Sequence, residues 1–211
     1  MSQSNAVAPS APGHDEINDY DRRLPHARPT DVLRGLYINT IFNAVKSAGG
    51  EEAGREHHAL LKDPKLTRRF IDFSNYPTAD YLRIASVATK VIAPHVGGQA
   101  NAARHIGKQG VTDFANSMFG KTMMLLSGNS PAKALASLES GYKTSTNVGE
   151  RTVTMLSETS ARLCFRHDLM PPAQVEGMLL AMLKLKNAKN PQVNVYPKGM
   201  LDCDYEVSWD Q

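Results

Sequence analysis

The residues best equipped for chemistry lie towards the C-terminus. Cys164 and His167 are close in sequence, and Cys203 comes alongside if their strands pair, which would assemble three ligands of the kind zinc takes. Both cysteines fall on alternating segments, however, and Cys203 takes an apolar position, so the pattern favours reduced core thiols. Arg162 and Arg166 share one strand face and can meet Asp202, Asp204 and Glu206 across a sheet or hold an anion; ion pairs are the simpler outcome. The seven histidines show neither HExxH nor paired zinc spacing. GGQANAARHIG has no strand before it to make a phosphate cradle, and no nucleophile elbow, Walker loop or kinase signature occurs. No catalytic residue, metal ligand or cofactor is assigned on this reading, and an enzyme would need a site of unfamiliar form.

Binding chemistry has a better candidate. Between Gln99 and Phe119, the residues Ala103, Gly107, Gly110, Phe114 and Met118 recur at helical steps. Glycine inside a helix costs roughly 0.5 to 1 kcal/mol relative to alanine, so something must offset it. Two explanations stand: close packing on another element, or a backbone groove facing a ligand. In the second, Tyr76, Tyr81, Gly107, Gly110, Phe114, Met118 and Phe119 line an apolar pocket between helices and sheet that takes a small hydrophobic ligand.

The elements that would position such a pocket are legible from periodicity. Leu201, Cys203, Tyr205, Val207 and Trp209 alternate with Asp202, Asp204, Glu206 and Ser208, a strand with one dry face on which Trp209 is buried. Arg151 to Leu156 and Ala161 to Arg166 alternate likewise and form a hairpin. Pro171 and Pro172 open a helix carrying Val175, Met178, Leu179, Met182 and Leu185 as far as Asn187; Pro191 ends it, and Val193 and Val195 make a short strand. The order over residues 149–211 is ββαββ. Residues 30–148 read as helices: one from Thr30 or Asp31 to a stop at Gly49 and Gly50, with a short strand as the alternative at its start, then amphipathic pieces to Phe73, a helix from Pro77 to Pro94, and the glycine-faced helix. The fold class is α+β, N-terminal helices packed on a C-terminal antiparallel sheet.

Composition bounds the rest. A chain of 211 residues with 41% hydrophobic residues suits one domain, placed at 30–211, behind a polar arm over 1–29 that holds too little apolar surface to order itself. A formal charge of +3, spread along the chain rather than blocked, gives only a weak hint of nucleic-acid binding, and nucleic acid is not an expected partner. No apolar run reaches bilayer-spanning length and no secretory leader opens the sequence, which reads as cytoplasmic.

Several short motifs recur in a fixed order: GLYINTIFNAV, SNYPTADYL, ARHIGKQGVTDF followed by FGKTM, NVGERTVTML, MPPAQVEGML and YEVSW. Spread from Val32 to Trp209, they resemble a paralogous family of unknown function that is abundant in myxobacteria. The layout of helices followed by ββαββ also resembles the group of vinyl-reductase-type ligand-binding domains, haem-nitric-oxide-binding domains and dimeric vesicle-tethering subunits. That resemblance implies a pocket between helices and sheet and a homodimer. The haem group's Tyr-x-Ser-x-Arg motif and the cysteine cluster of the zinc-containing members are missing, so neither haem nor zinc is carried over. The expected function is a non-enzymatic small-molecule-sensing or protein-interaction module in bacterial signalling. The alternatives are a homodimeric scaffold without ligand, or an enzyme.

Overall fold

The computed structural model describes residues 14–117, 120–122 and 128–210. Two short helices, α1 (His14–Ile17) and α2 (Tyr20–Arg23), precede strand β1 (Val32–Arg34) and the kinked helix α3 (Gly35–Leu61). Next come α4 (Pro64–Thr67), β2 (Asn75–Pro77), α5 (Thr78–Val96) and α6 (Gln99–Asn116). Helices α7 (Pro131–Ala136) and α8 (Leu138–Ser145) lead to β3 (Glu150–Ser157), β4 (Ser160–Arg166), α9 (Pro172–Leu185), β5 (Lys189–Pro197) and β6 (Cys203–Asp210).

The ββαββ segment forms one antiparallel sheet in the order β3-β4-β6-β5, so the last strand inserts between the hairpin and β5. Alternation decides its two faces. Ala161, Leu163 and Phe165 of β4 and Cys203, Tyr205, Val207 and Trp209 of β6 point inward and are buried against Val175, Leu179 and Leu183 of α9. On the outer face Arg162 meets Glu206 at 2.7 Å and Arg166 meets Asp204 at 2.7 Å, the ion pairs the sequence favoured. Register also separates the cysteines. Cys164 pairs with Asp204, whereas Cys203 pairs with Phe165, which puts the two thiols on opposite faces of the sheet. Among the described residues no His, Cys, Asp and Glu group can hold a metal. Strand β5 is longer than expected and runs through Pro191, where a register shift between Lys189 and Gln192 on this edge strand removes the need for an amide donor.

A second core lies among the helices. Ile38, Ile41, Ala44 and Val45 of α3 pack on Leu82, Ile84, Ala85 and Ile92 of α5 and on Ala103 and Ile106 of α6. Two boundaries differ from expectation. Residues Val32–Arg34 form a strand paired with Asn75–Pro77 rather than the first turn of a helix, and Thr146 adds a bridge to Leu33. The stop expected at Gly49 and Gly50 is a kink: Gly50 takes φ 72°, and the helix resumes to Leu61.

The polar arm expected over 1–29 is docked from α1 onward. Ile17, Tyr20 and Arg23 are buried, because Arg23 reaches under the sheet and donates to the carbonyl oxygens of Asp168 at 3.0 Å and Ile17 at 2.7 Å. One arginine anchors what composition alone would leave in water. Removing residues 1–29 exposes the apolar surface that Ile17 and Tyr20 bury, each worth about 1.5–3 kcal/mol, and is expected to lower the melting temperature by about 10 °C for a chain this size. Differential scanning calorimetry of the truncated and full chains checks it; an unchanged melting temperature would mean the segment contributes nothing.

Candidate functional site

Helices α6 and α9 touch backbone to backbone. A Cβ at Gly107 would lie 1.9 Å from the carbonyl oxygen of Gln174, and one at Gly177 would lie 2.2 Å from the carbonyl oxygen of Arg104. Each helix thus offers a glycine where the other's backbone passes, and Arg104 and Glu176 close the flank with an ion pair at 2.9 Å. Of the two explanations for the glycine face, close packing accounts for Gly107.

Gln174 is also the centre of a buried polar network. Tyr20 donates to its Oε1 at 2.6 Å, and its Nε2 donates to the Tyr81 hydroxyl at 2.7 Å. Burial raises both phenols well above their ordinary range, so both stay protonated donors or acceptors. Alongside, Asp168 accepts from Arg151 at 3.0 Å and from the backbone amide of Met170 at 2.9 Å, and the Arg151 guanidinium stacks 4.0 Å over the Tyr142 ring. Sequence reading missed Arg151, Asp168, Gln174 and Arg23. One signal was available for Arg151, which shares the inward face of β3 with Val153 and therefore needs a buried carboxylate.

The proposed pocket residues divide among different neighbourhoods. Tyr81 and Gly107 meet at Gln174. Gly110 faces Thr40 of α3, its Cβ position 3.8 Å from the threonine methyl. Tyr76 lies across the helical layer, edge-on to Phe70, and accepts from the Ile71 amide. The carbonyl of Phe114 accepts from the Ser117 hydroxyl at the end of α6. Met118 and Phe119 lie outside the described residues.

A groove of about 580 Å³ opens elsewhere, between α3, residues 67–72 and the end of α6. Leu36 and Phe42 contribute apolar surface, and Asn43, Arg68, Arg69 and Asp113 polar groups. Asp113 organises one wall: its carboxylate accepts from Thr40 at 3.0 Å, Asn43 at 2.9 Å and Gln109 at 2.7 Å, which fixes three side chains of two helices. Opposite, the Arg68 guanidinium rests near the Phe70 and Tyr76 rings, and Arg69 is exposed.

A family model described as "Protein of unknown function (DUF2378)" matches residues 26–210. The chain belongs to the DUF2378 family. No curated protein matches the sequence. Solved structures of H-NOX proteins share the fold of this DUF2378 chain. One from S. oneidensis, in the Fe(II)NO ligation state, has TM-score 0.67 and 12% identity, covering 85% of this chain and 100% of its own. One from K. algicida, Fe(II) unliganded, has TM-score 0.67 and 10% identity, covering 85% and 97%. A third structure, titled for the modulation of heme redox potential by porphyrin distortion, has TM-score 0.63 and 10% identity, covering 84% and 100%. At such identities the likeness establishes the fold.

The residues of the DUF2378 chain do not fit a haem between helices and sheet. Backbone contact between α6 and α9 leaves no slot for a porphyrin at Gly107, and Tyr20, Gln174 and Tyr81 are bonded to one another beside it. Two histidines set into the helical layer already have partners: His57 Nε2 meets the Ile84 carbonyl at 3.1 Å, and His105 Nε2 meets the Ser47 hydroxyl at 2.8 Å and the Ala44 carbonyl at 3.1 Å.

Burial lowers the pKa of both histidines, so folding favours their neutral form. Below their ordinary value of 6.5 the unfolded chain takes up protons that the folded chain refuses, and stability therefore falls as pH drops from that point. Urea unfolding at pH 7.5 and 5.5, values bracketing that ordinary pKa, is expected to give the lower stability in acid. Replacing both histidines, His57→Gln with His105→Gln, should flatten the difference; an undiminished slope would assign it to other groups.

Proposed function

We propose that this chain is a non-enzymatic sensing module in bacterial signalling that uses an H-NOX-like scaffold without haem. It takes a small polar ligand in the groove beside Asp113 rather than an apolar one between helices and sheet. The observation that carries this reading is the pairing of a closed interior, sealed where Gly107 and Gly177 meet the opposite helix, with an open groove of about 580 Å³. Ligand sites are concave and combine apolar floor with a few fixed polar groups. Here Leu36 and Phe42 supply the first, and the amide of Asn43, held by Asp113, supplies the second. Arg68 and Arg69 suit a ligand carrying an anionic group.

A second reading, a homodimeric scaffold, has support at the other end of the molecule. Strand β3 is an edge of the sheet, and Met155 and Leu156 are exposed near its end, which suits pairing with a second copy.

Native mass spectrometry of the chain purified from its own host separates the two. The expected result is a retained polar molecule on the parent, lost from Arg69→Ala and from Asp113→Ala while both variants still fold. A dimer without a bound molecule would favour the scaffold. A molecule of porphyrin mass would refute the haem-free assignment.

A further inference from the structure

The segment joining α4 to β2 holds two large apolar side chains in water on a backbone that has no freedom to hide them. Ile71 is 68% exposed and Phe73 62%, more than any other large apolar side chain among the described residues. Their backbone is nevertheless fixed at almost every residue. The Phe70 carbonyl accepts from Asn39 at 2.8 Å, the Ile71 amide donates to the Tyr76 hydroxyl at 3.0 Å, and the Asp72 carbonyl accepts from the Leu36 amide at 3.1 Å. The Ser74 carbonyl accepts from the Gly35 amide at 2.9 Å. Gly35 permits that approach, since a Cβ there would sit 2.3 Å from the Ile71 carbonyl oxygen. Among the described residues neither side chain belongs to either core. Their exposure is a standing cost that a partner would relieve, and the ordering entropy of the loop has already been spent.

We propose that Ile71 and Phe73 form the apolar centre of a docking site for an acidic, apolar segment of a partner protein. Charge supplies the choice of occupant. Arg68 and Arg69, which lead directly into the segment, are exposed, as are Lys62 and Lys65 shortly before them in the chain. The nearest carboxylate on the segment, Asp72, already accepts from Asn39 at 2.7 Å. A partner segment with Asp or Glu flanking two bulky apolar residues complements both features at once. The neighbouring groove offers a peptide backbone polar partners in a concave surface, whereas a bilayer presents no backbone to pair. The site shares Arg68, Arg69 and the groove with the small-ligand reading, and Phe73, which is not part of the groove lining, separates the two.

The test uses the full chain and short fluorescein-labelled peptides in three compositions: Phe and Leu flanked by Glu, the same apolar residues flanked by Lys, and the Glu peptide with its apolar residues changed to Ser. Fluorescence anisotropy is expected to rank the Glu-flanked apolar peptide first by at least about tenfold, with binding weakened by added salt. Phe73→Ser should weaken it by about tenfold or more with an unchanged melting curve, as for a central apolar contact. Arg69→Glu should shift the preference towards the Lys-flanked peptide. Equal binding of all three peptides, or equal binding by Phe73→Ser, would overturn the proposal. So would a parent dimer in light scattering that Phe73→Ser dissociates, since a second copy would then be the occupant. Sedimentation with phosphatidylserine vesicles in the absence of any peptide preference would likewise overturn it in favour of a membrane surface.

Discussion

The contact between α6 and α9 is the constraint on which the rest of the structure depends. Two helices ordinarily stand 8–10 Å apart because side chains hold them off. Gly107 and Gly177 remove those side chains at reciprocal positions, so each helix backbone comes to rest on the other. This brings α9 close enough to serve two cores at once. Its Val175, Leu179 and Leu183 cover the sheet, while Ala173 at its start belongs to the helical core. The same approach places Gln174 between Tyr20 and Tyr81, and so ties the N-terminal segment and α5 to the sheet side of the molecule. Here the seam is drawn shut and filled with bonded polar groups.

That seam carries charge as well as hydrogen bonds. Two guanidinium groups, Arg23 and Arg151, converge on Asp168, one through its carbonyl and one through its carboxylate, and all three residues are buried. Removing one partner from such a buried arrangement leaves the others uncompensated, which is more damaging than the pair is stabilising. The tyrosines beside them, Tyr20, Tyr81, Tyr142 and Tyr205, are pushed by burial towards higher pKa and remain neutral. Specific hydrogen bonds, and not apolar area alone, therefore join the two halves. The groove and the exposed pair Ile71 and Phe73 lie outside that sealed seam.

Much of this was legible in the sequence, because strands and helices announce themselves by period. The alternation from Leu201 to Trp209 gave a strand with Tyr205, Val207 and Trp209 inward, and they are buried as that pattern requires. The ββαββ order followed from proline and glycine punctuation. What periodicity cannot convey is which element lies opposite a given face. Gly107 favoured packing but also admitted a ligand, since the deciding partner, Gly177, sits far along the chain inside a stretch that reads only as an amphipathic helix. Register is lost in the same way: Cys164 and Cys203 fall on adjacent strands, but an offset of one residue sends them to opposite faces. Docking of the N-terminal segment was hidden because a single arginine with carbonyl partners, Arg23, achieves what composition assigns to apolar residues. Exposed Ile71 and Phe73 were invisible for the converse reason, since apolar residues in sequence are presumed buried.

The sign of one stability change tests the sealed seam most directly. Alanine is the better helix former by about 0.8–1 kcal/mol, so on propensity alone Gly107→Ala should stabilise α6. With the Gln174 carbonyl 1.9 Å from the new Cβ, the helices must instead separate or distort, and such overpacking costs about 1–3 kcal/mol. Urea unfolding of Gly107→Ala is therefore expected to show a net loss of stability. A variant as stable as the parent, or more stable, would mean that space lies between α6 and α9, and that the interior is open to a ligand after all.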